Sequence, residues 1–171
     1  MLSAIAYDRN AAVQYAHRWA YGRNPRYYDY EMLGGDCTNF ASQCLYAGIG
    51  IMNYTPTFGW YYIDANNKAP AWTGVEYFYN FLTRTTPSQG PIGVQIPPDR
   101  TDLLMPGDFV QLRFTGERFA HTPIIVDIDR SQPGRIILLA AHSHDADYRP
   151  LNSYMYQAVR YIHILGGFKN G

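Results

Sequence analysis

The first half of the chain carries apolar residues at helical spacing, interrupted by polar and glycine-rich breaks. Three helices are predicted, over residues 8–21, 37–47 and 72–83. Asp8 is the predicted cap of the first helix, Gly34-Gly35-Asp36 is the turn before the second, and Gly48 is its predicted end. Residues 85–100 are rich in Pro, Gly and Ser, so they predict a surface connection.

The second half changes to the short apolar runs that are typical of β-strands. Four strands are predicted, over residues 109–114, 119–127, 135–142 and 158–165. Their short connections, such as the Ser-Gln-Pro-Gly turn at residues 131–134, favour an antiparallel meander. Because helices come first and strands follow, the pattern predicts one α+β domain over residues 1–171 rather than alternating βαβ units.

Composition and charge narrow the class of protein. Hydrophobic residues make up 47% of the 171 residues, which is enough for a buried core. Lys+Arg and Asp+Glu number 14 each, and a net charge of zero argues against nucleic acid or a membrane surface as partner. No run approaches the ~20 apolar residues of a bilayer span. No signal peptide is visible, so the compartment stays open between the cytoplasm and secretion with a trimmed signal.

Two cysteines fall on the predicted second helix. Cys37 and Cys44 are seven positions apart, a helical rise of about 10.5 Å, so free thiols are predicted. Unpaired N–H groups and the helix dipole at the first turn favour a thiolate at Cys37 and can hold an oxyanion. Packing in the core is the more common role of a free cysteine. That role is predicted for Cys44, which shares the apolar face of Phe40 and Leu45.

A thiolate nucleophile needs a general base, usually a histidine that a third polar group holds in place. His121 begins the second predicted strand and His142 ends the third. Adjacent strands would place these two imidazoles side by side at one edge of the sheet. His17 and His163 have no neighbours that mark them as functional, so structural roles are predicted for both.

Residues 142–147, His-Ser-His-Asp-Ala-Asp, are dense in metal-ligand types. A zinc hydrolase would combine His142 and His144 with a distant ligand such as His121, but the spacing departs from His-x-His-x-Asp-His. A solvated strand end is the preferred interpretation of His144 and Asp147, and no metal or other cofactor is predicted.

An aromatic block follows the second predicted helix. It either lines a substrate cleft or packs between the helices and the sheet, and the sequence leaves both interpretations open. Its members are Tyr54, Phe58, Trp60, Tyr61, Tyr62 and Trp72.

Four segments together resemble one family. Residues 35–45, Gly-Asp-Cys-Thr-Asn-Phe-Ala-Ser-Gln-Cys-Leu, resemble the opening motif of the putative amidase domain family, which is grouped with papain-like cysteine hydrolases such as NlpC/P60 and CHAP domains. Residues 107–111, 120–126 and 141–145 resemble the family's later strands. The resemblance extends from about Tyr7 to Phe168.

The resemblance implies a papain-like fold, with N-terminal helices packed on an antiparallel sheet. It assigns the nucleophile to Cys37, the base to His121 and the orienting role to His142. Asp127 and Asp145 compete with His142 for that third role.

Two residues near Cys37 receive supporting roles. Asp36 is expected to cap the catalytic helix. Tyr28, or its neighbour Tyr27, resembles the tyrosine that NlpC/P60 enzymes place near the oxyanion.

The predicted reaction is hydrolysis of an amide or peptide bond through an acyl-enzyme thioester, with no cofactor. Bacterial cell-wall peptides are the substrate that family analogy suggests. The alternative is a catalytically inactive papain-like domain that binds a peptide or glycan through the aromatic block. The oligomeric state stays open.

Overall fold

A helical N-terminal half packs against an antiparallel sheet that the C-terminal half mainly supplies. The computed structural model describes residues 1–131 and 133–171. In chain order its elements are β1 (Leu2–Ile5), α1 (Arg9–Trp19), α2 (Cys37–Ile49), β2 (Tyr62–Asp64), β3 (Asn67–Lys68), α3 (Pro70–Thr73), α4 (Val75–Leu82), β4 (Gly90–Ile96), β5 (Phe109–Arg113), β6 (Ile124–Asp129), β7 (Ile136–Ala141), β8 (Ala146–Pro150) and β9 (Ala158–Asn170), with 3-10 helices at Pro98–Leu103 and Leu151–Ser153. The arrangement is α+β, as the order of the patterns predicted. None of the helices in these ranges is long and apolar enough to cross a membrane.

Strand β9 joins the two parts of the main sheet. It pairs antiparallel with β5, β4 and β1 along its length, and β6, β7 and β8 follow β5 outward. The predicted meander is therefore only partly right, because the last strand returns to β5 instead of extending the β8 edge. The pairing of Phe109 with Ile162 joins residues that no local pattern relates.

Apolar side chains cover both faces of the sheet. On one face the helices pack through residues such as Phe40 and Phe78 onto Phe109. On the other face Leu112 packs with Leu151 of the second 3-10 helix. Alternation along β5 explains this division, because Phe109 and Leu112 point to opposite sides of the strand.

Two predictions about chain breaks are wrong. Residues 85–100 contain strand β4, where a Cβ on Gly93 would lie 2.7 Å from the backbone oxygen of His163, so glycine permits the close pairing with β9. Helix α2 continues past Gly48 and ends at Gly50, which adopts a left-handed φ of 75°. Gly48 is where the helix meets the Tyr7 ring, which a Cβ would strike.

The second predicted strand begins later than expected. Strand β6 starts at Ile124, and His121 forms a single bridge with Leu112 of β5. Pro123 lies between them and has no N–H to donate, which interrupts the ladder. Strands β1 and β8 were not predicted. The predicted turn at residues 131–134 includes Gln132, which lies outside the described residues.

Candidate active site

Cys37 and His121 lie in the walls of one cleft, with a volume of about 650 Å³. Cys37 is the first residue of α2, and His121 lies in the segment that follows β5. Their positions bring the predicted nucleophile and base to the same cavity from opposite halves of the chain. The other residues around the cleft are Gly34, Gly35, Phe114, Ala120, Ser143, His144, Arg149, Ser153, Tyr154 and Met155.

The thiol of Cys37 is nearly buried, with 8% of the residue exposed. Its Sγ lies 3.8 Å from the Ala120 carbonyl oxygen, which accepts the S–H, and 3.7 Å from the Thr38 hydroxyl oxygen. Burial raises the pKa of the Cys37 thiol, against the lowering effect of the Thr38 hydroxyl and the N–H groups of Thr122 and Thr38. Burial therefore outweighs the lowering effect of the N–H group at the helix N-terminus, and the expected net lowering of the Cys37 pKa is wrong. The resting group is a thiol.

A chain of hydrogen bonds reaches Cys37 from the sheet. Arg160 donates to the Gln111 side-chain oxygen over 2.8 Å, which fixes the orientation of that amide. The Gln111 nitrogen donates to the Thr122 hydroxyl over 3.2 Å, and the Thr122 and Thr38 hydroxyl oxygens lie 3.0 Å apart.

The donors and acceptors in this chain set the direction of its hydrogen bonds. The Thr122 oxygen already accepts from Gln111, so its own hydrogen can go to Thr38. The Thr38 hydrogen is then directed at Sγ of Cys37. Thr38, Thr122 and Gln111 are all buried, and sequence patterns did not reveal this chain because it links residues far apart.

His121 is also buried and lies among aromatic rings. Its ring centroid is 5.6 Å from that of Tyr154 and 6.1 Å from that of Phe114. Burial and then the charges of Arg149 and His144 lower the pKa of His121 to about 4. The imidazole is therefore neutral at pH 7 and can accept a proton.

No hydrogen bond joins the His121 ring to another side chain within residues 1–131 and 133–171. The S–H of Cys37 donates to the carbonyl oxygen of Ala120, the residue before His121, instead of to the imidazole.

His142 has a different environment from the predicted one. Its Nδ1 lies 2.6 Å from a carboxylate oxygen of Asp36, its Nε2 lies 2.8 Å from the Trp19 carbonyl oxygen, and its ring stacks on Phe40. Both ring nitrogens are therefore engaged, and neither is left to orient His121. The prediction that His121 and His142 lie side by side is therefore wrong. A carbonyl only accepts, so Nε2 carries a hydrogen, and one further proton is shared between Nδ1 and Asp36.

Asp36 does not cap α2 with its side chain, contrary to prediction. Its carboxylate accepts from the Tyr30 N–H and from the Asn39 side-chain nitrogen, both over 2.8 Å, in addition to its bond with His142. Its own N–H donates to the Ser143 hydroxyl over 3.1 Å. The residue before Cys37 is thus bound to the end of β7.

The other predicted supporting residues lie away from the cleft. Tyr28 is half exposed, and its ring packs edge-on against Tyr30. Tyr27 packs against Trp72. Asp145 receives two hydrogen bonds from the Arg23 guanidinium, at 2.8 and 3.1 Å. None of these residues lines the cleft as described, and the same holds for the exposed Asp127 of β6.

His17 and His163 form pairs with buried or half-buried carboxylates. His17 lies 2.8 Å from Asp147, and His163 lies 2.8 Å from the fully buried Asp108. Asp108 also accepts from Arg9 over 2.7 Å. These contacts agree with the predicted structural roles. In the described ranges no three His, Cys, Asp or Glu side chains are grouped to hold a metal ion, so the zinc alternative receives no support.

Part of the aromatic block, Trp60, Tyr61, Tyr62 and Trp72, packs in or against the helical core rather than around Cys37, whereas Tyr54 and Phe58 are exposed. Trp60 and Trp72 are fully buried, and their ring N–H groups donate to Ser42 and Asn39. The described cleft contains none of the six aromatic residues of the block. Its own aromatic lining comes from other residues, Phe114 and Tyr154. Tyr154 lies between β8 and β9 in a segment without periodicity, so no sequence pattern marks it as a cleft residue.

The fold and the cleft define an α+β domain with a cysteine on a helix N-terminus opposite a histidine on a sheet. The chain belongs to the putative amidase domain family, whose sequence model matches residues 6–165. Over 149 residues it is 34% identical to "Uncharacterized protein YhbB" of Bacillus subtilis (strain 168). The matched region is 85% of this chain and 44% of that relative, so the match spans less than half the relative's length. No solved structure matches the chain.

Proposed function

We propose that this domain is a papain-like, cysteine-dependent amide hydrolase in which Cys37 is the nucleophile and His121 the general base. The observation that carries the proposal is the shared cleft, which brings a thiol on a helix N-terminus and a neutral imidazole into one cavity. Cys44 is fully buried and offers no competing nucleophile.

The protonation states at rest set the first step. Cys37 is a thiol and His121 is neutral, so the proton moves from Sγ to the imidazole as the thiol attacks the amide carbonyl. The Sγ–H must leave the Ala120 carbonyl oxygen for the imidazole nitrogen. Because Cys37 and His121 are both buried, the thiolate and imidazolium that form attract each other more strongly than they would in water.

The second half of the reaction returns the proton. The imidazolium of His121 protonates the leaving amine, which gives an acyl thioester on Cys37. Water, deprotonated by His121, then hydrolyses the thioester and restores the thiol. The oxyanion is stabilised in this proposal by first-turn N–H groups of α2, which have no acceptor inside the helix.

The substrate class is a peptide or another amide, and bacterial cell-wall peptides are the first to test. The family supports an amidase in general terms.

The proposal is tested by acylation of Cys37. p-Nitrophenyl acetate should give a burst of nitrophenol, an acetyl group mapped to Cys37 by mass spectrometry, and slow turnover. Cys37→Ser should abolish the adduct, and His121→Ala should reduce its rate at least about 100-fold, the usual contribution of a general base. Cys44→Ser is the matched control and should acylate normally.

Soluble cell-wall peptides should then release a new amine with the native protein and with Cys44→Ser, and none with Cys37→Ser. Acetylation that occurs equally on Cys37 with and without His121 would contradict the pair. A binding domain without catalysis would show no burst at all.

A further inference from the structure

A positive charge lies in the cleft without a role in the proposed reaction. Arg149, on β8, donates from Nε to the Ser153 hydroxyl over 2.9 Å and from Nη2 to the Ser153 carbonyl over 3.3 Å. Its guanidinium lies 3.6 Å from the centroid of the Tyr154 ring. These contacts hold the side chain in place and leave Nη1 without a hydrogen bond to any described residue.

No carboxylate forms an ion pair with Arg149 in the part of the chain that the structure describes. Among the described residues that line the cleft there is no Asp or Glu, and His144 is the other basic side chain there besides His121. Two acids contact the lining from outside: the Glu31 carboxylate accepts from Ser143 and lies 4.0 Å from Arg23, and the Asp36 N–H donates to Ser143 while its carboxylate binds His142. Within the described ranges, four of the twelve arginines pair with acids: Arg9 with Asp108, Arg23 with Asp145, Arg100 with Asp102 and Arg160 with Glu76.

When the cleft is empty, the positive charge of Arg149 makes His121 a weaker base. The pKa of His121 is lowered partly by Arg149. An anion bound to Arg149 would offset this effect and make His121 a stronger base. A substrate anion would therefore assist the proton transfer as well as binding, while a neutral substrate would meet the weaker base.

We propose that Arg149 binds a carboxylate of the substrate, so that the preferred substrates are amides with an acidic group close to the scissile bond. A guanidinium held on one side by Ser153 and Tyr154 presents its free edge to such a group, and Arg–carboxylate pairing is directional and charge-assisted. The cleavage part of this inference rests on the proposed function. The anion subsite itself does not.

The experiment compares two alkylating reagents of similar size at Cys37. Iodoacetate carries a carboxylate and iodoacetamide does not. The rate of each at Cys37 is measured by mass spectrometry, and the ratio of rates is divided by the same ratio for the urea-unfolded chain. The native protein should prefer iodoacetate about tenfold on this scale, and 1 M NaCl should reduce the preference.

Three variants separate the subsite from general charge. Arg149→Met should bring the ratio to within about twofold of the unfolded value, and Arg149→Lys should retain part of the preference. Arg18→Met removes an exposed charge that does not line the cleft and should leave the ratio unchanged. Equal ratios for the native protein and Arg149→Met overturn the proposal, and so does a cleft that admits neither reagent.

A substrate pair distinguishes this inference from the proposed function. Peptide p-nitroanilides that differ only in Glu or Gln before the scissile amide should show a higher kcat/KM for Glu, and Arg149→Met should raise KM for Glu alone. Hydrolysis of both peptides at equal rates keeps the hydrolase and refutes the subsite. Iodoacetate preference without any acylation of Cys37 keeps the subsite and refutes the hydrolase.

Discussion

Replacing Thr38 with valine should raise the pKa of Cys37. The substitution removes the hydroxyl that lies 3.7 Å from Sγ and keeps the shape of the side chain. The hydrogen-bond chain from Gln111 through Thr122 directs the Thr38 hydrogen at the sulfur, so this hydroxyl favours the thiolate over the thiol.

The size of the effect follows from the geometry. A hydrogen bond to a charged group contributes about 1.5–3 kcal/mol, and the long distance to sulfur places this one near the lower end. About 1.5 kcal/mol corresponds to a rise of about one pKa unit. Valine also leaves the Thr122 hydroxyl without an acceptor, so the free energy of unfolding should fall by about 1–3 kcal/mol.

The assay is the rate of iodoacetamide alkylation at Cys37 between pH 6 and 10, with urea unfolding of the same variant as the stability measurement. Thr38→Ser is the matched control, because it retains the hydroxyl and should keep the native pKa to within about 0.3 unit. An unchanged pKa in folded Thr38→Val, or an equal shift in Thr38→Ser, would refute the direction assigned to the chain of hydrogen bonds.

Three other predictions follow from buried ionisable groups. Because burial lowers the pKa of His121 to about 4, the rate of amide hydrolysis should fall only as the pH falls through about 4, where the imidazole becomes protonated. A profile of kcat/KM against pH checks this, and an acid limb near 6.5 would contradict it. Asp36→Ala leaves the buried His142 without its partner and should lower the free energy of unfolding in urea by about 3–5 kcal/mol, whereas a loss below about 1 kcal/mol would show that the pair is not needed for stability. Asp108→Ala should lower the free energy of unfolding by a similar amount, because it leaves the Arg9 guanidinium without its carboxylate partner. The alkylation rate of Cys37 should stay near the native value, and a large change in that rate would show that the two sites are coupled.

Periodic segments account for the parts of the fold that the sequence predicted. Helix α1 repeats apolar residues at helical spacing and strand β7 is a continuous apolar run, and the structure has both within a few residues of the predicted bounds. Strand β4 contains two glycines and a proline, which locally predict a connection. It becomes a strand because β9 offers a partner for its backbone, and that interaction lies some 70 residues away in the chain.

In the candidate site, too, the residues that local sequence defines could be predicted and those that depend on distant partners could not. Cys37 was selected from its position in a turn and helix start, which neighbours in sequence define. The partner of His142 could not be found in this way, because Asp36 lies 106 residues earlier and its local context predicts a helix cap. Arg149 and Tyr154 have no pattern of their own, and they acquire a role only when β8 and the following 3-10 helix bring them to the cleft.

The two buried clusters on either side of Cys37 explain how the fold can hold the proposed nucleophile opposite the proposed base. Before Cys37, Asp36 binds His142, which also binds the end of α1 through the Trp19 carbonyl. After it, Thr38 binds Thr122, the residue that follows His121. Polar groups that are buried in this way are costly unless all their partners are present, and the partners meet only in the native arrangement. Any displacement of α2 would therefore leave several buried polar groups without their hydrogen-bond partners. His142 acts on the site by holding the helix that carries the thiol.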